Sequence, residues 1–305
     1  MKNTFPGGEW PTMLTPFTKS GEVDYKALEQ LIEWYLQNGV SGLFAVCQSS
    51  EMFQLSLEER VGIARFTKEK VNGRVPVIAS GHISDSLEDQ ATELTEMSKT
   101  GVDAVILITN RLAKETEDDE VWISNLQELL NRIPDDIPLG FYECPYPYKR
   151  VMSPKTVSWC AQTGRFFFLK DTCCDIDQIS KKLEITKGTN LKLYNANTST
   201  LLESLRLGAS GYSGVMANFQ PKLYAWLCEN YQSKAAEKLS DELTICSLIE
   251  RQLYPVNAKY NLYLEGLPVE IVCRVKNSAD LTHTFRKEVE MLHRITERMN
   301  KEYIV

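Results

Sequence analysis

The chain contains no apolar run approaching the roughly 20 residues that a membrane-spanning helix needs, and only three of its 305 residues are histidine. His82, His283 and His293 form no cluster, and the cysteines include no CxxC pair, so zinc-ligand spacing is missing. No GxGxxG turn follows the first strand-like segment, which removes the usual mark of a dinucleotide-binding sheet. Basic residues are the scarcer charge: 34 Lys and Arg against 41 Asp and Glu give a formal net charge of −7. That balance weighs against a nucleic-acid partner, which calls for a basic surface, while leaving room for a local basic pocket. The opening residues, Met1 to Gly8, lack the apolar stretch of a signal peptide, so a cytoplasmic protein without a membrane partner is expected.

Cysteine, by contrast, is plentiful. Eight residues (Cys47, Cys144, Cys160, Cys173, Cys174, Cys228, Cys246 and Cys273) are scattered along the chain and read as reduced core thiols. Cys173 and Cys174 are neighbours just after Lys170, a candidate redox-sensitive pair. With 43% hydrophobic and 25% charged residues, the chain has ample material for a core.

Short apolar runs alternate with helical patterns as far as about residue 230. Strands are expected at Trp10–Leu14, Gly42–Val46, Val75–Ala79, Ala104–Ile108, Leu139–Tyr142, Phe166–Lys170, Leu191–Tyr194 and Gly211–Ser213. Between them, Tyr25–Leu36 follows an acidic turn and ends near Asn38-Gly39. Ser56-Leu57-Glu58-Glu59 has the form of a capping box, and its helix ends at Asn72-Gly73. Ser84 or Asp85 is placed to cap the next helix, and Asp118–Leu130 makes another. Eight strands alternating with helices predict an α/β fold, a (β/α)8 TIM barrel, with a doubly wound sheet as the competitor. After residue 230 the pattern is helical: Ala235–Leu253, a short piece from Pro255, and Ala279–Met299. The predicted organisation is therefore a barrel over residues 1–230 and a small C-terminal helical extension over residues 231–305.

Lys170 closes the apolar run Phe166-Phe167-Phe168-Leu169, so its amine emerges from an apolar wall. Burial disfavours the ammonium form, and a neutral amine is what Schiff-base chemistry requires. Another such run ends in Tyr142, whose phenol can shuttle a proton during carbonyl chemistry. In a barrel both residues sit at C-terminal strand ends, on the adjacent fifth and sixth strands, where catalytic groups gather.

Ordered motifs extend this reading over almost the whole chain. They begin at Met13-Leu14-Thr15-Pro16-Phe17 with Gly21-Glu22-Val23-Asp24, and continue through Cys47-Gln48-Ser49-Ser50-Glu51, Tyr142-Glu143-Cys144-Pro145 and Leu169-Lys170-Asp171-Thr172. Gly208-Ala209-Ser210-Gly211 and Ala217-Asn218-Phe219-Gln220-Pro221 complete the series. The chain resembles the superfamily of dihydrodipicolinate synthase and N-acetylneuraminate lyase, the pyruvate-dependent class I aldolases. The resemblance implies that Lys170 forms an imine with pyruvate or another 2-oxo acid, so no cofactor is needed. It implies that Tyr142 relays the proton as the carbon–carbon bond to an aldehyde partner is made or broken. Ser49, with Gln48 or Ser50, would bind the keto acid's carboxylate, and backbone around Ser213 and Gly214 would line the imine pocket. A homo-oligomer, tetramer or dimer, is expected on the same ground.

The departures bear on the substrate. The synthases carry a PPYYNKP segment after strand four, one tyrosine of which reaches into the neighbouring subunit's proton relay. Here Ile108-Thr109-Asn110-Arg111-Leu112-Ala113-Lys114 holds no tyrosine, so a site complete within one chain is expected. The loop that places an arginine in the synthases is lengthened to Tyr146-Pro147-Tyr148-Lys149-Arg150. Both losses weigh against the lysine-biosynthetic condensation. The sialic-acid lyases' strand-seven GxDE-like segment is replaced by Tyr194-Asn195-Ala196-Asn197-Thr198. Asn197 and Thr198 suit a polyhydroxylated, sugar-acid-like substrate. Lys149, Arg150, Arg111 and Lys114 are candidates for an acidic substrate end and equally for a solvated rim. Glu143 should point away from Tyr142 by strand alternation, into a structural ion pair.

The resulting expectation is an enzyme, a class I lyase or aldolase joining or cleaving a 2-oxo acid and an aldehyde. A 2-oxo acid dehydratase using the same imine is the nearest alternative. A 2-oxo acid binding protein on an aldolase fold is the alternative outside enzymology.

Overall fold

A computed structural model describes residues 5–304. Eight strands, β1 (Gly8–Glu9), β2 (Leu43–Phe44), β3 (Val77–Ala79), β4 (Ala104–Ile108), β5 (Leu139–Tyr142), β6 (Phe166–Asp171), β7 (Lys192–Asn195) and β8 (Gly211–Tyr212), are all parallel. Their order runs β1-β8-β7-β6-β5-β4-β3-β2. A parallel bridge between Thr12 and Phe44, with Met13 N–H donating to the Phe44 carbonyl at 3.0 Å, links the two ends. The expected TIM barrel is what the chain forms.

Helices α1 (Tyr25–Gln37), α2 (Leu57–Val71), α3 (Leu87–Ser98), α4 (Asp119–Leu130), α5 (Pro154–Thr163), α6 (Ile176–Thr186), α7 (Leu201–Arg206) and α8 (Pro221–Asn230) alternate with the strands. They are followed by α9 (Ala235–Cys246), α10 (Glu250–Leu253), α11 (Val256–Leu264) and α12 (His283–Tyr303). No helix among the described residues is long and apolar enough to cross a membrane.

Several boundaries differ from those expected. The first ladder lies at Gly8–Glu9 rather than Trp10–Leu14, because Pro11 has no N–H and the segment after it pairs irregularly. It still runs on in extended form, Trp10 N–H donating to Tyr212 O at 2.8 Å. Gly211 accommodates the close approach of β1: a Cβ there would collide with the Gly8 backbone. The cap of α3 is Ser86, accepting from Asp89 N–H at 3.1 Å, because Ser84 is engaged by the Glu93 carboxylate and Asp85 by Arg111. The single helix expected over Ala235–Leu253 breaks into α9, a 3₁₀ turn at Ser247–Ile249, and α10. The last helix begins four residues later than expected, where Thr282 accepts from Phe285 N–H.

An aromatic floor fills the barrel below its C-terminal mouth. Phe168 stacks on Tyr194 with ring centres 4.1 Å apart, and Trp10 and Phe44 lie 5.1 and 6.3 Å from Phe168. On β1, Glu9 is fully buried, and neither carboxylate oxygen has a hydrogen-bond partner among the described residues. Burial holds its pKa well above the ordinary carboxylate range.

That shift has a definite sign. Unfolded Glu9 ionises near pH 4.5 while the folded group stays protonated, so its contribution falls as pH rises above that value. Glu9→Gln removes the titration, and should stabilise the protein more at pH 8 than at pH 4. Thermal denaturation of both proteins at the two pH values checks this; an equal difference at both would contradict it.

Candidate active site

Strands β5 and β6 place the two chemically distinctive side chains side by side. Tyr142 and Lys170 are register partners, and the Lys170 amine lies 4.5 Å from the centre of the Tyr142 ring. A bulge sets their direction: Leu139 faces Phe166 and Gly140 faces Phe168, so Phe167 has no partner on β5. After that extra residue, Phe168 and Lys170 point into the barrel while Asp171 points to the surrounding helices. Gly140 opposite the bulge has no room for a Cβ, which would meet Ile106 and Phe168.

Lys170 is only 3% exposed. Burial over the aromatic floor pulls its pKa down to about 8, partly opposed by the neighbouring Cys47, Cys144 and Glu250. A substantial neutral fraction near pH 8 follows. Tyr142 is pushed well above its ordinary value, first by burial and then by Cys144 and Cys47, so it keeps its proton. Its O–H donates to the Gln48 amide oxygen at 3.2 Å.

The loop after β2 is a 3₁₀ turn over Gln48–Ser50. Ser49 Oγ donates to Thr12 Oγ at 3.1 Å, whose hydroxyl lies against the Gly214 carbonyl at 3.3 Å. Ser50 is turned the other way. Its hydroxyl sits against the Met13 and Ala45 carbonyls at 2.7 and 2.8 Å and accepts from Cys47 N–H, so it fastens the turn to the barrel. Glu51 follows in the left-handed region at φ 62°. Its buried carboxylate accepts from Lys259 at 2.8 Å and from the backbone N–H groups of Arg274 and Val275 at 2.6 and 2.9 Å.

A cavity of about 460 Å³ opens above Lys170. Of the residues singled out in the sequence, Gln48, Ser49, Tyr142, Lys170, Asn197 and Gly214 line it. Ser50, Thr198 and Ser213 do not. Thr198 is hydrogen-bonded to the Tyr224 hydroxyl at 2.8 Å, beneath the mouth. Ser213 is fully buried, with its N–H bonded to Asn195 O at 2.9 Å. Gly214 is packed so closely that a Cβ would meet Tyr212 and the Ala196 carbonyl.

Of the four basic candidates, only Lys149 reaches the cavity, donating to Thr172 O at 2.7 Å. Arg150 is held by the carbonyls of Lys114, Glu117 and Asp118 at 2.9 to 3.1 Å, and Arg111 pairs with Asp85. Glu143 points away from Tyr142 as alternation requires, into a buried cluster: Lys182 donates to it at 2.6 Å and also to Asp171. Met152 and Thr172 N–H groups complete its coordination, each at 2.8 Å. Burial, then repulsion from Asp171, raises the Glu143 pKa, and the Lys182 charge opposes that shift.

Sequence reasoning missed the wall built by the C-terminal helices. Glu250, Arg251, Tyr254, Pro255, Val275 and Lys276 all line the cavity. Tyr254 accepts from Asn218 Nδ2 at 3.1 Å. Nothing in their local spacing distinguishes these residues from solvated helix ends; long-range ties, among them Glu51 to Lys259 and Asn218 to Tyr254, hold them over the mouth.

A mostly apolar pocket holding a depressed-pKa amine, a protonated phenol and converging hydroxyl and amide groups is suited to imine chemistry on a small oxo acid. It lies at the mouth of a (β/α)8 barrel, where the catalytic groups of enzymes with this fold gather. The model of the dihydrodipicolinate synthetase family matches residues 6–293. The chain is 29% identical to the 4-hydroxy-tetrahydrodipicolinate synthase of Saccharophagus degradans, covering 85% of this chain and 96% of that one. It is 30% identical to the enzyme of the same name from Clostridium tetani, covering 87% and 85%. Among solved structures, the dihydrodipicolinate synthase of Thermotoga maritima superimposes with a TM-score of 0.85 at 22% identity, covering 96% and 99%. A prophage protein of the same family from E. coli K12, solved with pyruvate, gives 0.85 at 21% identity, covering 95% and 98%. The chain belongs to the dihydrodipicolinate synthetase family, and is an enzyme of the pyruvate-dependent aldolase class.

The Glu143–Lys182–Asp171 cluster braces the backs of β5 and β6. Lys182→Met leaves two buried carboxylates without their cation and should cost about 3–5 kcal/mol. Denaturant unfolding reads this directly; a loss below about 1 kcal/mol would show that the cluster does not brace the strands.

Proposed function

We propose that Lys170 is the nucleophile and Tyr142 the proton-transfer group of an aldolase or lyase acting on a 2-oxo acid and an aldehyde. The observation that carries the reading is the pairing of these two groups in register at the floor of one cavity. The neutral Lys170 amine adds to the C2 carbonyl, and uptake of one proton from solvent with loss of water gives a protonated imine. Loss of a C3 proton then gives an enamine. In the condensing direction the enamine carbon attacks the aldehyde carbonyl, Tyr142 O–H protonates the resulting alkoxide, and the phenolate regains its proton from solvent. Hydrolysis of the imine frees the product and restores Lys170. In cleavage the same steps run backwards. The imine is the electron sink, so this chemistry uses no separate cofactor.

Ser49 Oγ and the Gln48 side-chain NH₂ are assigned to the keto acid's carboxylate. The Gln48 amide oxygen is already taken by Tyr142, which leaves its nitrogen as the donor. Ser50 is not given this role, because its hydroxyl is spent on the turn. Gly214 is assigned to line the imine pocket, and a Cβ there would meet Tyr212 and the Ala196 carbonyl.

The condensation named in the curated relatives is the second reading, favoured by their similarity along the chain. Against it stand the segment after β4, Thr109 to Arg111, which has no tyrosine, and the commitment of Arg150 to three backbone carbonyls. A sugar-acid-like partner, or a dehydration by the same imine, fits these departures better.

Incubation with pyruvate and sodium borohydride should add one reduced pyruvyl group, mapped to the Lys170 peptide, and Lys170→Ala should show none. An adduct on another lysine, or turnover by the alanine variant, would contradict the assignment. Tyr142→Phe should retain the adduct while carbon–carbon turnover falls by about 10² or more; equal loss of adduct and turnover would remove Tyr142 from the proton step.

A further inference from the structure

The imine chemistry leaves one carboxylate in the cavity unused. Glu250, at the start of α10, lines the same cavity as Lys170, Asn197 and Gly214. It is half-buried, and among the described residues no side chain forms an ion pair or hydrogen bond with it. Burial raises its pKa, opposed by the charges of Arg251 and Lys170, which places its carboxylate within electrostatic reach of the reacting amine. A partly desolvated acceptor without a donor is unfavourable, and a donor brought by a ligand relieves that cost.

Asn197 presents the complementary group. Its amide oxygen already accepts from Ser199 Oγ at 2.7 Å and from both the N–H and the hydroxyl of Thr200 at 3.1 Å. That saturation fixes the amide and leaves its NH₂ for the cavity. Beside the cations of Lys149, Arg251 and Lys276, this wall thus offers an acceptor in Glu250 and a neutral donor in Asn197, where Ser49 offers a donor to a carboxylate. A hydroxyl group both donates and accepts; an alkyl chain does neither and would leave both wall groups unpaired.

We infer that Glu250 and Asn197 form the subsite for the second reactant, and that this reactant is an aldehyde bearing a hydroxyl group. The inference rests on Lys170 being the imine-forming residue. Glu250 is then a specificity-determining residue contributed by the C-terminal helices.

The test compares glyceraldehyde with propanal, two aldehydes of equal carbon count, as partners for pyruvate. For Glu250→Ala, the ratio of kcat/KM for glyceraldehyde to that for propanal should fall about ten- to hundredfold, the effect expected for losing a hydrogen bond to a charged group. Glu250→Gln keeps an acceptor oxygen and should lose less. An unchanged ratio in Glu250→Ala, or a ratio in the wild type no greater than one, would overturn the inference. Borohydride trapping of pyruvate on each protein reads the imine separately. Absence of the adduct from wild type would sink the Lys170 reading itself, whereas an adduct with an unchanged ratio sinks only the subsite. An adduct without turnover of either aldehyde would overturn the subsite as well.

Discussion

The site depends on keeping an amine in an apolar enclosure. Lys170 stands on Phe168, with Trp10, Phe44 and Tyr194 around it, and the enclosure holds its pKa at about 8 against an ordinary 10.5. That difference corresponds to about 3 kcal/mol disfavouring the ammonium. The closed sheet makes it possible: a parallel barrel surrounds its interior with backbone whose hydrogen bonds are satisfied, so a single unpaired polar group can be held there without water. The bulge at Phe167 turns this general property into a specific one by choosing which face of β6 carries the amine. Burial in the same wall is also the main reason that the Tyr142 phenol stays protonated.

Polar networks outside the barrel hold the elements that meet at its mouth. Glu143, Lys182 and Asp171 lock the backs of β5 and β6, with every carboxylate oxygen of Glu143 engaged. Glu51 and Lys259, both fully buried and 208 residues apart in sequence, tie the loop after β2 to α11. The Glu51 bonds to Arg274 and Val275 carry the next segment over the cavity. The C-terminal helices are therefore part of the cavity wall, and the chemistry of that wall, unlike that of the floor, differs from strand-end residues in being free to vary without disturbing the barrel.

Legibility from sequence followed the range of the interactions. The barrel was readable because alternating apolar runs and helical patterns are local, and β4 and β5 lie where the pattern puts them. Lys170 and Tyr142 were readable because each ends such a run, and adjacency of the fifth and sixth strands follows from barrel order. Glu143 was readable from alternation alone. What escaped was the direction of side chains in loops. Ser49 and Ser50 are neighbours of one residue type, yet one reaches the cavity and the other fastens the turn, a choice made by the distant Met13 carbonyl together with that of Ala45. Thr198 likewise answers to Tyr224 on α8 rather than to its own strand. Glu250, Tyr254 and Lys276 were invisible as site residues because the ties that hold them over the mouth are long-range.

The proposed chemistry requires the amine of Lys170 to be neutral through burial. Its most direct test is the initial rate of pyruvate imine trapping at Lys170, followed from pH 6 to pH 11. A rise with a midpoint near pH 8 is the predicted result. A midpoint near 10.5, the value of an ordinary exposed lysine, would show that the enclosure does not control the amine, and would contradict the account.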